Sequence, residues 1–199
     1  KMLPPTELVP AALRVLATHD AKNSLPKFVQ AIQSRNVIIR QLGWDILAKD
    51  ETTEGRQVIA DAVESWLRNE LAPDVHLNVF EASKDKLDDD LQSKLDARLS
   101  AIEKSEPLGP WLMALEGGDV EAGRRLFFEN SKLSCVRCHK VDRAGGEVGP
   151  NLSAIGKQKD RRYLLESICL PSAQIAKGFE TAVIANDSGQ VFTGIVKAE

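Results

Sequence analysis

Hydrophobic positions over residues 1–115 recur at intervals of three and four, which predicts a succession of amphipathic helices. The apolar stripes comprise Leu8, Ala12, Val15 and Leu16; Phe28 and Ile32; Ile38, Ile39, Leu42 and Ile46; Val58, Ala62, Val63, Trp66 and Leu67; Val75, Val79 and Phe80; and Leu87, Leu91, Leu95, Leu99 and Ile102. The segments between them are short, and Pro26 and Pro73 suit the first turn of the helices that they would open. We expect one helical module here, with Trp44, Trp66 and Trp111 in its core.

The pattern changes at a Glu-Gly-Gly-Asp turn signal, which opens a second domain that we place at residues 116–199. Asp119 suits the N-cap of a helix. Glycine inside a helix costs about 1 kcal/mol relative to alanine, so we expect Gly123 of this helix to pack closely against another backbone. A short helix is expected over residues 161–168. Alternating apolar residues on both sides of a turn then predict a β-hairpin over residues 181–195.

Composition narrows the classes of function. The chain has 199 residues, 26 Lys and Arg against 29 Asp and Glu, a net charge of −3 and three cysteines. The slightly negative balance disfavours nucleic-acid binding, and three cysteines are too few for a disulfide scaffold. No apolar run approaches the roughly 18–20 residues that cross a bilayer, so we expect no transmembrane segment.

The strongest chemical signal is Cys135-Val136-Arg137-Cys138-His139, which has the C-x-x-C-H spacing of covalent haem attachment. Two thiols three positions apart on a helical turn can form thioethers with both vinyl groups of one porphyrin edge. His139 then lies where its Nε2 can bind iron as the proximal ligand. The other ring nitrogen needs a hydrogen-bond acceptor, which the carbonyl of Pro150 could supply. We expect one covalent haem c.

Other interpretations of the motif stay open. A structural zinc site needs four ligands, so Cys135, Cys138 and His139 would need Cys169 or another side chain to complete the set. A redox disulfide between the first two cysteines would be expected in a βαβ unit, which the pattern does not indicate. Haem attachment is favoured over both, and Cys169 is expected to be a bystander thiol.

Several segments around the motif resemble known families. Residues 116–128 are similar to the opening helix of class I cytochrome c domains, in which a glycine and an aromatic residue, here Gly123 and Phe127, pack against a later helix. The chain further resembles the planctomycete/Verrucomicrobium-type haem-binding domain in residues 146–152, 163–168 and 171–180. One departure is Cys169, since that family commonly has an acidic residue before the following proline.

The helical first part resembles HEAT-type repeats, although a four- or five-helix bundle fits the same pattern. The expected fold is therefore mainly α: a HEAT-like helical module followed by a class I-like cytochrome c domain with a C-terminal β-hairpin. The resemblance implies that a methionine ligand and a terminal helix follow the hairpin. We therefore expect this chain to be a mature or excised segment that lacks that helix.

The sequence leaves the sixth iron ligand open, because no Met or His follows His139. The iron would be five-coordinate, hold water or take a substitute ligand; the candidates are Met113, His76, His19 and Lys177. The candidates for an apolar haem wall are Phe127, Phe128, Leu133, Val136, Leu152, Ile155, Tyr163, Leu164 and Ile168. Those for pairing with the haem propionates are Arg143, Lys157, Arg161 and Arg162.

We expect the haem to serve one-electron transfer. The family resemblance implies a larger exported dehydrogenase-like protein, with a redox partner protein or dehydrogenase domain. Covalent attachment after export implies the periplasm or the outer face of a membrane. No Ser-His-Asp set, phosphate loop or pair of carboxylates accompanies the motif, which favours an electron-transfer domain over an enzyme. Two other functions stay open: a haem sensor or peroxidase-like site that uses an open sixth position, and a docking scaffold whose helices bind a partner.

Overall fold

The computed structural model describes residues 8–195, which are mainly helical and divide into two compact units. The first unit ends at Gly118 and the second begins at Asp119. The division lies at a turn in which Gly117 and Gly118 have φ angles of 84° and 95°. Glycine adopts this left-handed conformation without steric cost. The turn is the one that the sequence predicts, and the division falls a few residues beyond the expected boundary at residue 116.

Six α-helices and two short 3-10 helices form the described part of the first unit. They are α1 (Val9–His19), α2 (Ala21–Ile32), α3 (Val37–Leu47), α4 (Thr53–Leu67), α5 (His76–Ser83) and α6 (Asp89–Ser105), with 3-10 helices at Pro73–Val75 and Gly109–Ala114. Helix α2 packs against α3, and α4 packs against α5. The two helical hairpins stack on each other, because α3 of the first packs against α5 of the second. Helix α1 lies against α2 and α3, and α6 lies against α4.

One hydrophobic core runs through these helices and is built from the predicted apolar stripes. Its fully buried side chains include Phe28, Leu47, Ile59, Val63 and Val79. Full burial of such a side chain stabilises the fold by about 1.5–3 kcal/mol. Trp44 and Trp66 are also buried as predicted, with exposures of 4% and 6%. The prediction for Trp111 was wrong, because this side chain is 39% exposed in the second 3-10 helix.

The orientation of α1 differs from the prediction. Leu13 is the buried residue of this helix, and Leu16 packs beside it at the core. Leu8, Ala12 and Val15, which were predicted to share the inward face, are exposed. Because α1 carries apolar residues on two faces, helical spacing fitted both faces and could not select the inner one.

Helix α2 begins earlier than predicted. Only Asp20 separates α1 from α2, which starts at Ala21, so Pro26 lies inside the helix and not in its first turn. A proline there removes one backbone hydrogen bond to the carbonyl four residues before it. The burial of Phe28 and Ala31 on the same helix offsets that loss. Pro73, in contrast, does open a helix, the first 3-10 segment.

The second unit consists of short elements. They are α7 (Val120–Glu129), α8 (Cys135–Cys138), β1 (Lys140–Val141), β2 (Ala144–Gly145), α9 (Ile155–Gln158), α10 (Arg161–Cys169), β3 (Thr181–Ala185) and β4 (Val191–Ile195). Strands β3 and β4 form the predicted antiparallel hairpin, with Val183 opposite Thr193. The small β1–β2 ribbon, which pairs Lys140 with Gly145, was not predicted.

Every residue between 119 and 195 is at least partly exposed to solvent. Helix α7 begins where the sequence predicts, because Oδ1 of its N-cap residue Asp119 accepts the N–H of Ala122 at 2.9 Å. The expectation for Gly123 was wrong: among the described residues, nothing lies within 4 Å of where its β-carbon would be. Within residues 8–195, no helix combines the length and the apolar composition that crossing a membrane requires.

Candidate haem-binding site

Asn130 shapes the turn that leads from α7 into the cysteine motif. Its Oδ1 accepts the N–H groups of Lys132 and Leu133, both at 3.0 Å. Its carbonyl oxygen accepts the N–H of Ser134 at 2.9 Å. Ser134 has a φ of 53°, in the left-handed region that non-glycine residues seldom adopt. The hydrogen bonds of Asn130 thereby fix the direction in which the chain enters α8.

The motif forms a single helical turn, with Cys135 as its first residue and Cys138 as its last. Cys135 is half-buried, Cys138 is exposed, and neither is in a disulfide. Residues three apart on a helix are neighbours on one face, so the two thiols belong to the same side of the turn. His139 ends the turn in an extended conformation, and its N–H donates to the carbonyl of Cys135 at 3.0 Å.

The ring of His139 is oriented by a backbone carbonyl. Nδ1 of His139 lies 3.0 Å from the carbonyl oxygen of Pro150. Because a carbonyl oxygen only accepts hydrogen bonds, this contact assigns the proton to Nδ1 and the lone pair to Nε2. Metal-binding histidines commonly donate their second ring N–H in this way, which fixes the ring and raises its basicity. The half-buried His139 thus offers Nε2 to a metal.

A glycine-rich loop lies directly against the motif. The N–H of Gly146 donates to the carbonyl of Val136 at 2.9 Å, and the N–H of Gly149 donates to the carbonyl of Cys138 at 2.8 Å. A β-carbon on Gly149 would lie 2.8 Å from Cε1 of the His139 ring. Only glycine permits so close an approach of the backbone. The loop therefore supports the imidazole ring as well as supplying its acceptor.

Aromatic side chains lie on α7, which packs against the motif, and on α10. Helix α7 packs against α8. On α7, the rings of Phe127 and Phe128 meet edge to face, with their centres 4.9 Å apart. The ring of Tyr163 lies on α10, and the amine of Lys159, which follows α9, is 4.2 Å from its centre. The predicted wall residues that are half-buried are Phe127, Phe128, Val136, Leu152, Ile155, Tyr163 and Leu164, whereas Leu133 and Ile168 are 58% and 78% exposed.

These observations fit a covalently held haem. Two thiols share one helical turn, the next residue is an imidazole with its Nε2 available, and glycine backbone packs on that ring. The apolar side chains of this unit are only partly covered by one another, as expected for a small domain whose core includes a large planar group. Within residues 8–195, no three His, Cys, Asp or Glu side chains converge as a metal-ion cluster.

The predicted sixth ligands lie in different surroundings. Met113 packs against the apolar core of the first unit. Nε2 of His76 lies 3.1 Å from the carbonyl oxygen of Leu71. His19 and Lys177 are exposed, at the end of α1 and in the segment before β3. The sixth ligand stays a prediction, as do the proposed propionate partners Arg143, Lys157, Arg161 and Arg162, all of which belong to the exposed residues of the second unit.

Two residues of the site were missed by the sequence analysis. Asn130 forms the turn before the motif, and Ser153 accepts the N–H of Asp142 through its hydroxyl oxygen at 2.6 Å. Asn and Ser commonly bond to nearby backbone in turns, so the Asn-Ser pair after α7 was a usable signal. The contact of Ser153 joins positions eleven residues apart, and no local pattern indicates it.

Comparison with known families agrees with this geometry. Residues 120–189 match the family model described as Cytochrome c. The match covers α7, the cysteine motif, the glycine-rich loop and α10, so the second unit is a cytochrome c domain. Such a domain implies covalently bound haem c. Neither a curated protein nor a solved structure was found to match the chain.

Proposed function

We propose that the second unit is a c-type cytochrome module that carries one haem for one-electron transfer. Cys135 and Cys138 would hold the haem through thioethers, and His139 would bind its iron through Nε2. The observation that carries this proposal is the contact between Nδ1 of His139 and the carbonyl of Pro150, next to two thiols on one turn. The contact supplies the hydrogen-bond acceptor that fixes the ring of an axial histidine. A disulfide between the two cysteines would have no use for such an acceptor.

The residues of the chain have separate tasks in this function. When bound, haem iron supplies one-electron chemistry by alternating between the ferric and ferrous states. The carbonyl of Pro150 keeps the proton on Nδ1 of His139, so that Nε2 stays available in both states. The thioethers of Cys135 and Cys138 would prevent loss of the haem, and apolar residues such as Phe127 and Leu152 would limit the water around it, which would raise the reduction potential. No side chain of the motif has to gain or lose a proton.

The wider context is also a proposal. The helix pairs of the first unit stack as α2–α3 on α4–α5, which supports HEAT-like repeats over a simple bundle. Together with the planctomycete/Verrucomicrobium-type resemblance of the second unit, this stacking supports the proposal that the module belongs to a larger exported dehydrogenase-like protein. Its site of action would be the periplasm, where a redox partner or linked dehydrogenase domain would exchange electrons with it.

The function can be tested with cysteine variants expressed together with a haem-attachment system. The double variant Cys135→Ala/Cys138→Ala should carry no covalent haem, because both thioethers are lost. The matched control is Cys169→Ala, which removes the remaining half-buried thiol and should leave the haem content unchanged. Haem-dependent peroxidase staining after denaturing electrophoresis measures the attachment. Equal staining of the double variant and the control would contradict the proposal.

Electron transfer itself is tested by a reductive titration of the wild-type protein. One electron per polypeptide should convert the oxidised spectrum to the reduced one with fixed isosbestic points. Bands that do not change on adding carbon monoxide would indicate a strong sixth ligand. A high-spin spectrum that carbon monoxide shifts, together with rapid turnover of peroxide, would instead favour the sensor or peroxidase-like function.

A further inference from the structure

The hydroxyl group of Ser153 joins two separate segments beside His139. Its oxygen accepts the backbone N–H of Asp142 at 2.6 Å and donates its own proton to Oδ1 of Asn151, also at 2.6 Å. The backbone N–H of Ser153 donates to the same Oδ1 at 2.9 Å. One side chain thus ties the end of the glycine-rich loop to the turn between β1 and β2.

The turn that Ser153 holds has an unusual backbone conformation. Asp142 has a φ of 53°, in the left-handed region that is uncommon for residues with a side chain, although aspartate adopts it more readily than most. This turn follows β1, which begins directly after His139. The hydrogen bond from Asp142 to Ser153 therefore acts on the segment that contains the proposed iron ligand.

Ser153 is the last of a series of contacts that hold the loop on the motif. The N–H of Gly149 donates to the carbonyl of Cys138, and the N–H of Leu152 donates to the carbonyl of Lys140, both at 2.8 Å. Pro150 lies between these two contacts in the sequence, and its carbonyl oxygen accepts the Nδ1–H of His139. The loop is thus held on both sides of Pro150, by Gly146 and Gly149 before it and by Leu152 and Ser153 after it.

We propose that Ser153 is a positioning residue for His139. Its hydroxyl holds residues 149–153 against the β1–β2 ribbon, so that the carbonyl of Pro150 stays on Nδ1 and the imidazole keeps one orientation. This inference rests on the proposed function, in which His139 binds the haem iron. Without the hydroxyl, the loop opens from its far end, the bond from Nδ1 to Pro150 is broken more often, and water reaches the ring.

The test compares three variants of the haem-loaded protein with the wild type. Ser153→Ala removes the hydroxyl, and Ser153→Thr keeps it. Ser167→Ala is the matched control, because Oγ of Ser167 bonds to the carbonyl of Tyr163 within α10, at 2.8 Å. Two quantities are measured: the hydrogen exchange of the amides in residues 149–153, followed by mass spectrometry, and the reduction potential of the haem.

Ser153→Ala should retain covalent haem, and its loop amides should exchange at least about tenfold faster, because local opening is easier. Its reduction potential should differ from that of the wild type, because a weaker bond from Nδ1 makes the ring less basic and because more water reaches the ring, and both changes act on the charged ferric state. Ser153→Thr and Ser167→Ala should match the wild type in both quantities. The inference is overturned if Ser153→Ala leaves exchange and potential unchanged, or if exchange in α10 rises equally. A wild-type protein without covalent haem would instead overturn the proposed function.

Discussion

At the scale of single residues, the site depends on how closely the backbone approaches the ring of His139. Gly149 leaves no room for a β-carbon, which would lie 2.8 Å from Cε1 and 2.9 Å from Nδ1 of the ring. The next residue, Pro150, supplies the acceptor at 3.0 Å from Nδ1. The two residues therefore act together: Gly149 leaves room for the ring of His139, and Pro150 fixes the orientation of that ring.

Gly149→Ala should accordingly displace either the loop or the imidazole ring. Overpacking of this kind costs about 1–3 kcal/mol, and we expect less haem-loaded protein and a weaker bond from Nδ1 to Pro150. The haem content per polypeptide and the electronic spectrum report the change. The matched control is Gly156→Ala in α9, where a β-carbon meets nothing within 4 Å. Equal effects of the two substitutions would contradict the close approach at Gly149.

At the scale of elements, caps and short turns position the helices of the second unit more than burial does. Oδ1 of Asp119 accepts the N–H of Ala122 at 2.9 Å to begin α7, and Oδ1 of Asp160 accepts the N–H of Tyr163 at 2.8 Å to begin α10. No residue of these two helices is buried. The N-cap hydrogen bonds of Asp119 and Asp160 should therefore contribute a large share of the stability of these two helices.

Asp119→Ala should lower the free energy of unfolding of the second unit by about 1 kcal/mol, because the first turn of α7 loses its side-chain acceptor. Thermal unfolding monitored at the haem absorbance measures the loss. Asp119→Asn keeps an acceptor of the same length and should behave as the wild type within a few tenths of a kcal/mol. If both substitutions reduce stability equally, the negative charge and not the hydrogen bond would explain the effect.

The elements show which features a sequence can predict. The cap at Asp119, the helix after residue 160 and the hairpin were predictable because each depends on residues close together in the sequence. The helical turn of the C-x-x-C-H motif was predictable for the same reason, since it lies within five consecutive residues. The inner face of α1 was not, because both of its faces are apolar. The contact of Ser153 with Asp142 was not, because it depends on how two loops meet.

At the scale of the whole molecule, the two units are stabilised by different means. The first has a buried apolar core that includes Phe28, Leu47 and Val63. In the second, residues 119–195 are all at least partly exposed. Removal of a buried side chain from the first unit should therefore reduce its stability far more than removal of an exposed one.

Phe28→Ala should destabilise the first unit by about 3–5 kcal/mol, because a fully buried ring is removed and a cavity remains. Denaturant unfolding followed by far-ultraviolet circular dichroism measures this change. Val15→Ala is the control, since Val15 is 58% exposed on α1, and it should have an effect within about 0.5 kcal/mol. A large effect of Val15→Ala would contradict the observed orientation of α1.

The first unit should also become less stable in acid because of Glu51. A hydrogen bond from the Lys86 amine, at 2.8 Å, and the charge of that amine hold the pKa of Glu51 below its usual value. A carboxyl group with a lower pKa in the folded state stabilises the fold above its unfolded pKa, and this contribution is lost as the pH falls through the folded pKa. The free energy of unfolding should therefore decrease as the solution is acidified below the usual pKa of a glutamate.

Glu51→Gln should reduce the slope of this decrease, because the titrating group is gone. Denaturant unfolding at a series of pH values measures the slope. Glu81→Gln removes an exposed carboxylate from α5 instead and serves as the control. If Glu51→Gln and the wild type lose stability in parallel, the ion pair with Lys86 does not contribute to the acid sensitivity.

The most direct test of the account is extraction of the purified wild-type protein with acid and acetone, followed by a visible spectrum of both fractions. The thioethers from Cys135 and Cys138 should keep the haem with the precipitated polypeptide, so the Soret band should appear there after redissolving. Haem recovered in the acetone, or a protein expressed with a haem-attachment system that shows no Soret band, would contradict the central claim that this unit is a c-type cytochrome.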